Sequence, residues 1–379
     1  MDVIELEQSI YSKIPVLVKE LEPQMENVRL ILYDILLNVE DQLITETIPK
    51  LSVRSRSKSN LFLSESGFWS LGTLRYTKKT LKTKGGSKEL LRLVHVISYL
   101  IEQIQSGRTS TLRELYYCAL NWIDEAQFEK VNDSNLCLEN IEILTNLIRE
   151  ELSIFPGEEG KISGPIVVEF KTRKKGVQRV DCAKDIGSSG LSLPRSITEL
   201  KVISTTAKFI LVVETAGMHA RLIEEQFDIK NNCIIVCSSG QASRMTRKFL
   251  KLMKQQYNLP IAIFADCDAF GFQIAYVIKI GSIKASHLSE LLCVPDAIHV
   301  GLLPSQIKQY NLPTDNITKL QRERLELMMV DTRFDALRDQ MKIMLDTGKK
   351  SEQQALAYYG LDYVSKVYLP RVLTYYGFL

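Results

Sequence analysis

Three short, wholly apolar runs constrain this chain more than any other feature: Phe209–Val213, Cys233–Cys237 and 260–264. Their length and lack of polar positions fit strands buried on both faces. Between them, helical spacing recurs at about 218–227 and 243–256. Strands alternating with helices specify an open, mainly parallel α/β sheet with right-handed crossovers. In such sheets functional groups gather beyond the carboxyl ends of the strands. The first run is followed at once by Glu214. The third is followed by Ala265-Asp266-Cys267-Asp268-Ala269-Phe270-Gly271.

That placement turns attention to the carboxylates. In an extended segment, residues two apart point to one side, so Asp266 and Asp268 can face one ion. Glu214, Asp266 and Asp268 brought together would repel unless a divalent cation neutralised them. Magnesium, hard and oxygen-seeking, suits such a set and tolerates phosphate ligands. The alternative is that these acids cap helices or form turns.

The first half of the chain is patterned for helices. Residues 2–48 carry two apolar helical runs divided by Pro23, and a further helix is expected over 88–105, ended by Ser106-Gly107. Thr111 and Glu114 match a capping box, which starts the next helix at about Leu112. Leu112, Leu115, Tyr116, Ala119, Leu120 and Ile123 fall on its apolar stripe, whereas Arg113, Tyr117, Asn121 and Asp124 fall opposite. Periodicity thus separates two adjacent tyrosines, sending Tyr116 inward and Tyr117 outward. Arg113 lies one turn before Tyr117, close enough to share a phosphate with it. An outward tyrosine on a helix is also an ordinary amphipathic surface residue. A third helix is expected over 138–152, stopped at Pro156-Gly157. A strand at 165–170 and a basic turn at 171–176 follow. Three helices, a strand and a basic hairpin fit a winged helix, a DNA-binding form. More helix is expected over 320–344 and 351–379.

Charge is informative in its distribution. The net charge of +3 establishes no polyanion partner, but ten basic residues between Leu51 and Arg92 face only Glu65 and Glu89. Such a segment either solvates a surface loop or meets a phosphate backbone. Residues 54–67 within it read as a linker or an ordered loop. The seven cysteines form no CxxC pair and read as buried or inert thiols of a reducing compartment. Neither a secretory signal nor a membrane-spanning apolar run is evident, so an intracellular, soluble protein is expected.

The segments 111–117, 213–214 and 266–271 resemble the signatures of the A subunit of DNA topoisomerase VI, a type IIB enzyme, and of the related meiotic double-strand-break transesterase. Gly240-Gln241, 246–250 and 352–371 extend the similarity, the last toward the archaeal topoisomerase branch. Cys267 between the aspartates and Ala269 after them depart slightly from the family pattern. The resemblance implies an α/β multidomain chain: an N-terminal helical extension and linker (1–70), a winged-helix (CAP-like) domain (71–160), and a Toprim domain with C-terminal helices (161–379). It further implies that Tyr117 attacks DNA to form a 5′-phosphotyrosyl link, that Arg113 holds the phosphate, and that Glu214, Asp266 and Asp268 bind Mg2+. A homodimer on double-stranded DNA is implied, each tyrosine working with its partner's metal site. The chain has no GxxxxGK[ST] loop. The resemblance implies that ATP hydrolysis resides on a separate GHKL-type B subunit in an A2B2 heterotetramer, with the helices before Ile48 as candidate contacts. The expected location is cytoplasmic and nucleoid-associated in an archaeal-type cell. Three alternatives remain: a break-forming transesterase without strand passage, a Toprim nuclease using water, and a non-catalytic DNA-binding protein.

Overall fold

The computed structural model describes residues 23–155, 160–172, 176–196 and 199–379. Two compact units result. One takes the described residues up to Ser55 and from Thr73 to 155; the other takes Arg56–Gly72 and everything described from 160 onward. This grouping differs from the three-part division expected above.

In the first unit, helix Lys84–Ser106 is the central element. Thr83 caps it by accepting from the Gly86 amide, and Gly107 closes it in the left-handed region at φ 62°. Leu90, Leu93, Val96, Ile97, Leu100, Ile101 and Ile104 bury one continuous stripe. Against it lie Val28, Leu32 and Val39 of helix Pro23–Ile44, the short helix Leu112–Ala119, and helix Val131–Thr145. The antiparallel pair Lys50–Arg54 and Tyr76–Thr80 completes the unit. The earlier of the two N-terminal apolar runs lies outside the described residues.

Two helix expectations need correcting here. The helix expected over 138–152 spans Val131–Thr145 and ends where Asn146 turns left-handed at φ 55°. The helix carrying the tyrosines stops at Ala119, so Leu120 and Ile123, assigned to its buried stripe, are exposed.

The second unit is built on a six-stranded sheet. From edge to edge it runs Ile298–Gly301, Ile261–Phe264, Phe209–Val213, Cys233–Cys237, Lys161–Ser163 and Leu191–Ser192. The first four strands pair in parallel, and Lys161–Ser163 pairs antiparallel with both of its neighbours. All three apolar runs are therefore neighbours, with Val213 level with both Phe264 and Cys237. Alternate residues enter different cores. Phe209, Leu211 and Val213 meet Leu325, Met341 and Tyr368 on one face, while Ile210 and Val212 meet Phe249, Leu250 and Met253 of helix Arg244–Tyr257 on the other. Double burial explains why these strands have no polar alternation.

The strand and basic turn read as a wing belong elsewhere. Ile166–Thr172 pairs with Gly176–Asp181 and with Leu200–Thr205 in a separate antiparallel sheet within the second unit; residues 173–175 of the turn lie outside the described residues. Of the linker or ordered loop expected over 54–67, the ordered alternative holds from Leu61, where 61–63 pair with 69–71 in a small hairpin. The C-terminal part is broken into Lys319–Met329, Arg338–Thr347 and Leu369–Tyr375, with a 3-10 segment at Gln353–Tyr359 and a π segment at Val364–Tyr368. Among the described residues no helix is long and apolar enough to cross a membrane.

Candidate active site

The tyrosine helix is fixed locally. Thr111 Oγ1 accepts from the Glu114 amide at 3.2 Å, and the Thr111 amide donates to Glu114 Oε2 at 2.6 Å, completing the capping box. Leu115 and Ala119 anchor the helix in the core. On an eight-residue helix this leaves Tyr117 64% exposed, while Tyr116 is half-buried and meets it edge-on with ring centroids 5.3 Å apart. Arg113, also exposed, lies one turn earlier. Cys118 is exposed too, unlike the other six cysteines, all of which are buried; of the buried or inert thiols expected, this one is not buried because the position lies off the Leu115–Ala119 stripe.

The acids are held by the sheet instead. Glu214 and Asp266 follow adjacent parallel strands, and the Asp266 amide donates to Glu214 Oε2 at 2.9 Å. Asp266 Oδ1 accepts from the Gln353 amide at 2.8 Å. Burial, reinforced by Asp266, Asp268 and Glu352, pushes Glu214 up to about 7. Burial, with Asp268 and Glu352 adding repulsion, pushes Asp266 up to about 6. Two half-buried carboxylates with raised proton affinity form a hard-oxygen pair that a divalent cation fits.

Asp268 departs from expectation. The Asp268 amide donates back to the Asp266 carbonyl at 3.0 Å, a tight turn that breaks the alternation of an extended strand. Asp268 then caps helix Ala269–Ile280, its Oδ1 accepting from the Phe270 and Gly271 amides at 2.8 Å each, while Oδ2 accepts from Gln321 Nε2 at 2.9 Å. The helix-cap role is thus one that this carboxylate fills, and its charge also acts on both Glu214 and Asp266. Among the described residues no group of three His, Cys, Asp or Glu side chains is arranged to hold a metal ion.

Comparison with known proteins decides the family. Residues 209–373 match the Toprim domain that the A subunit of topoisomerase 6 shares with Spo11, 88–154 match a type IIB DNA topoisomerase domain, and 157–206 match the all-beta domain of the DNA topoisomerase VI alpha subunit. The A subunit of type 2 DNA topoisomerase 6 from Archaeoglobus fulgidus is 39% identical over 350 residues, covering 91% of this chain and 96% of that protein. Its counterpart from Haloarcula marismortui is 36% identical, covering 94% and 98%. The chain belongs to the family of topoisomerase VI A subunits.

Within the family frame, the 157–206 match accounts for the misassigned wing: that hairpin belongs to the all-beta segment. Several residues around the acids escaped the sequence reading. Ser351 exchanges two backbone hydrogen bonds with Cys267, and buried Gln353 also donates from Nε2 to the Phe264 carbonyl at 2.7 Å. A strap from the C-terminal region thereby ties down the acidic loop. Gln354 Nε2 donates to Thr215 Oγ1 at 2.9 Å. Gly271, already part of the acidic motif read from the sequence, has a structural reason to be glycine: a Cβ there would lie 2.0 Å from the Asp266 carbonyl oxygen.

Proposed function

We propose that this chain is the DNA-cleaving and religating subunit of an ATP-dependent type IIB topoisomerase, with Tyr117 as nucleophile. The Tyr117 Oη gives up its proton and attacks a backbone phosphorus. The bond from phosphorus to the 3′ oxygen breaks, that oxygen takes a proton, and the 5′ phosphate remains esterified to the tyrosine. Religation is the reverse, and since one ester replaces another it needs no energy input. Arg113, on the same exposed face, binds the phosphate being attacked. Glu214 and Asp266 would hold Mg2+, with Asp268 beside them. When bound, the ion neutralises charge developing on the phosphate and on the leaving sugar oxygen.

The observation that carries this reading is the exposure of Tyr117 on a helix started by a capping box, in a chain of this family. Its test is trapping of a covalent protein–DNA adduct on plasmid DNA with magnesium, ATP and the ATPase partner. Tyr117→Phe abolishes the adduct and Tyr116→Phe retains it; the reverse result refutes the assignment. A nuclease using water would leave no adduct at all.

The remaining parts follow from the family frame. The first unit serves as the winged-helix DNA-binding module and the second carries the Toprim fold. Two copies act on one duplex, each cutting one strand, in a cytoplasmic complex with a GHKL-type ATPase. Helix Pro23–Ile44 supports a docking role, since Leu30, Leu37 and Ile44 remain exposed while Val28, Leu32 and Val39 fill the core. Leu30→Asp with Leu37→Asp should weaken capture of the ATPase partner more than tenfold, an interface hot-spot effect, with the thermal midpoint unchanged. Undiminished capture removes this helix from the interface.

A further inference from the structure

Helix Lys319–Met329 begins with a capping box in which Gln321 occupies the third position. The Thr318 amide donates to Gln321 Oε1 at 3.0 Å and the Gln321 amide donates to Thr318 Oγ1 at 3.2 Å. The box thus fixes the orientation of the Gln321 side chain: its carbonyl oxygen is committed to the backbone, and its NH2 points away, donating to Asp268 Oδ2 at 2.9 Å. Gln321 is buried. One turn later, the Arg324 guanidinium stacks over the Phe270 ring at 4.6 Å and bonds Gln273. Helix 319–329 therefore grips the start of helix 269–280 at two points, and the first grip is on the acidic loop itself.

A capping box accepts Glu as readily as Gln at this position, so the helix does not require an amide. Asp268 does, since of these two side chains only the amide can donate to an ionised carboxylate. A carboxylate offers about four lone-pair positions. Phe270, Gly271 and Gln321 occupy three of them, which leaves one, on Oδ2, with a direction set by Gln321.

We propose that Gln321 is a positioning residue for the reaction. It locks Asp268 in the orientation that caps helix 269–280 and aims the remaining Oδ2 lone pair toward a cation held by Glu214 and Asp266. The cation part rests on the metal-binding reading above; the locking of Asp268 does not.

The test uses the full chain and two variants, Gln321→Glu and Gln321→Met. Gln321→Glu keeps the capping box but replaces the donor with a second carboxylate. Hydrogen exchange at the Phe270 and Gly271 amides should become about tenfold faster, the loss expected for a hydrogen bond to a charged group, while amides of helix 319–329 keep their protection. In Gln321→Met, Mn2+ affinity read from the electron paramagnetic resonance of the free ion should fall about three- to tenfold, in the direction of Asp268→Asn. Unchanged exchange at Phe270 and Gly271 in Gln321→Glu reduces Gln321 to a helix cap and overturns the proposal. Wild-type Mn2+ affinity in Gln321→Met overturns its cation part. Mn2+ affinity unaltered in Glu214→Gln would instead sink the metal reading, with the exchange experiment still deciding the locking of Asp268.

Discussion

The tyrosine helix and the acidic loop solve opposite problems. Tyr117 is a solvent-facing side chain on an eight-residue helix held by a capping box and two buried residues, Leu115 and Ala119. Glu214 and Asp266 follow central strands whose every residue is buried; the Asp266 amide holds Glu214, and the strap at 351–353 holds Asp266. A nucleophile that must reach a substrate gains from exposure and needs only a fixed base. Carboxylates that must attract a cation gain from burial, which raises the cost of their charge until the cation arrives. Changes to the acidic loop should therefore act through the backbone and be severe, while changes around the tyrosine helix should be mild unless they touch the hydroxyl.

The sharpest way to break this contrast is Gly271→Ala. The new Cβ would overlap the Asp266 carbonyl oxygen at 2.0 Å and its carbon at 2.9 Å, both backbone atoms with no rotamer to escape into. A destabilisation of roughly 3 kcal/mol is expected from such overpacking, measurable by denaturant unfolding. Adduct formation should fall on the order of 10²-fold or more, since an ångström of misplacement costs that much. A variant with normal stability and cleavage would show that the loop is not backbone-locked.

The pH dependence of stability probes the buried side of the comparison. Glu214 and Asp266 titrate at about 7 and about 6 in the folded chain, above their ordinary 4.5 and 3.8. The folded state then binds protons more tightly than the unfolded state, so their contribution to stability is full below about pH 4 and is lost as pH rises toward about 7. His219 and His299, buried and lowered to about 4 from 6.5, act with the opposite sign between pH 4 and 6.5. The clean measurement is thus a difference. In chelator, Glu214→Gln should gain a few degrees in thermal midpoint over the unmutated chain at about pH 7.5 and gain least at about pH 4.5. Added Mg2+ should stabilise the unmutated chain and not the variant. An equal gain at both pH values would mean that Glu214 carries no strain from its charge.

Legibility in the sequence divides along the same line. The three apolar strands were readable because burial on both faces leaves no polar residue in Phe209–Val213 or Cys233–Cys237. The capping box at Thr111 and the outward turn of Tyr117 were readable because both are set within one helical turn. What failed was termination and long-range contact. Nothing in helical periodicity announced that Asn146 would turn left-handed and end a helix at Thr145. The pairing of 166–181 with 200–205 depends on a strand that the local pattern of the hairpin does not specify. The alternation rule treated 266–268 as extended, whereas the Asp268 amide donates back to the Asp266 carbonyl and tightens the backbone there into a turn. Gln321 and Gln353 lie 53 and 87 residues from the aspartates they hold, a separation no local rule spans.

The gentlest perturbation falls on the exposed side. Thr111→Ala removes the hydroxyl that accepts from the Glu114 amide and leaves the return bond from the Thr111 amide to Glu114 intact. Loss of an N-cap of this kind costs about 1 kcal/mol. Because Leu115 and Ala119 still seat the helix, Tyr117 should keep its outward direction and the adduct should fall only a few-fold. Thr111→Ser, which restores the acceptor, should recover both stability and cleavage. If Thr111→Ala instead abolished the adduct while the fold stayed intact, the helix start would be setting the aim of the tyrosine and not merely its support, and the two regions would be closer in design than their burial implies.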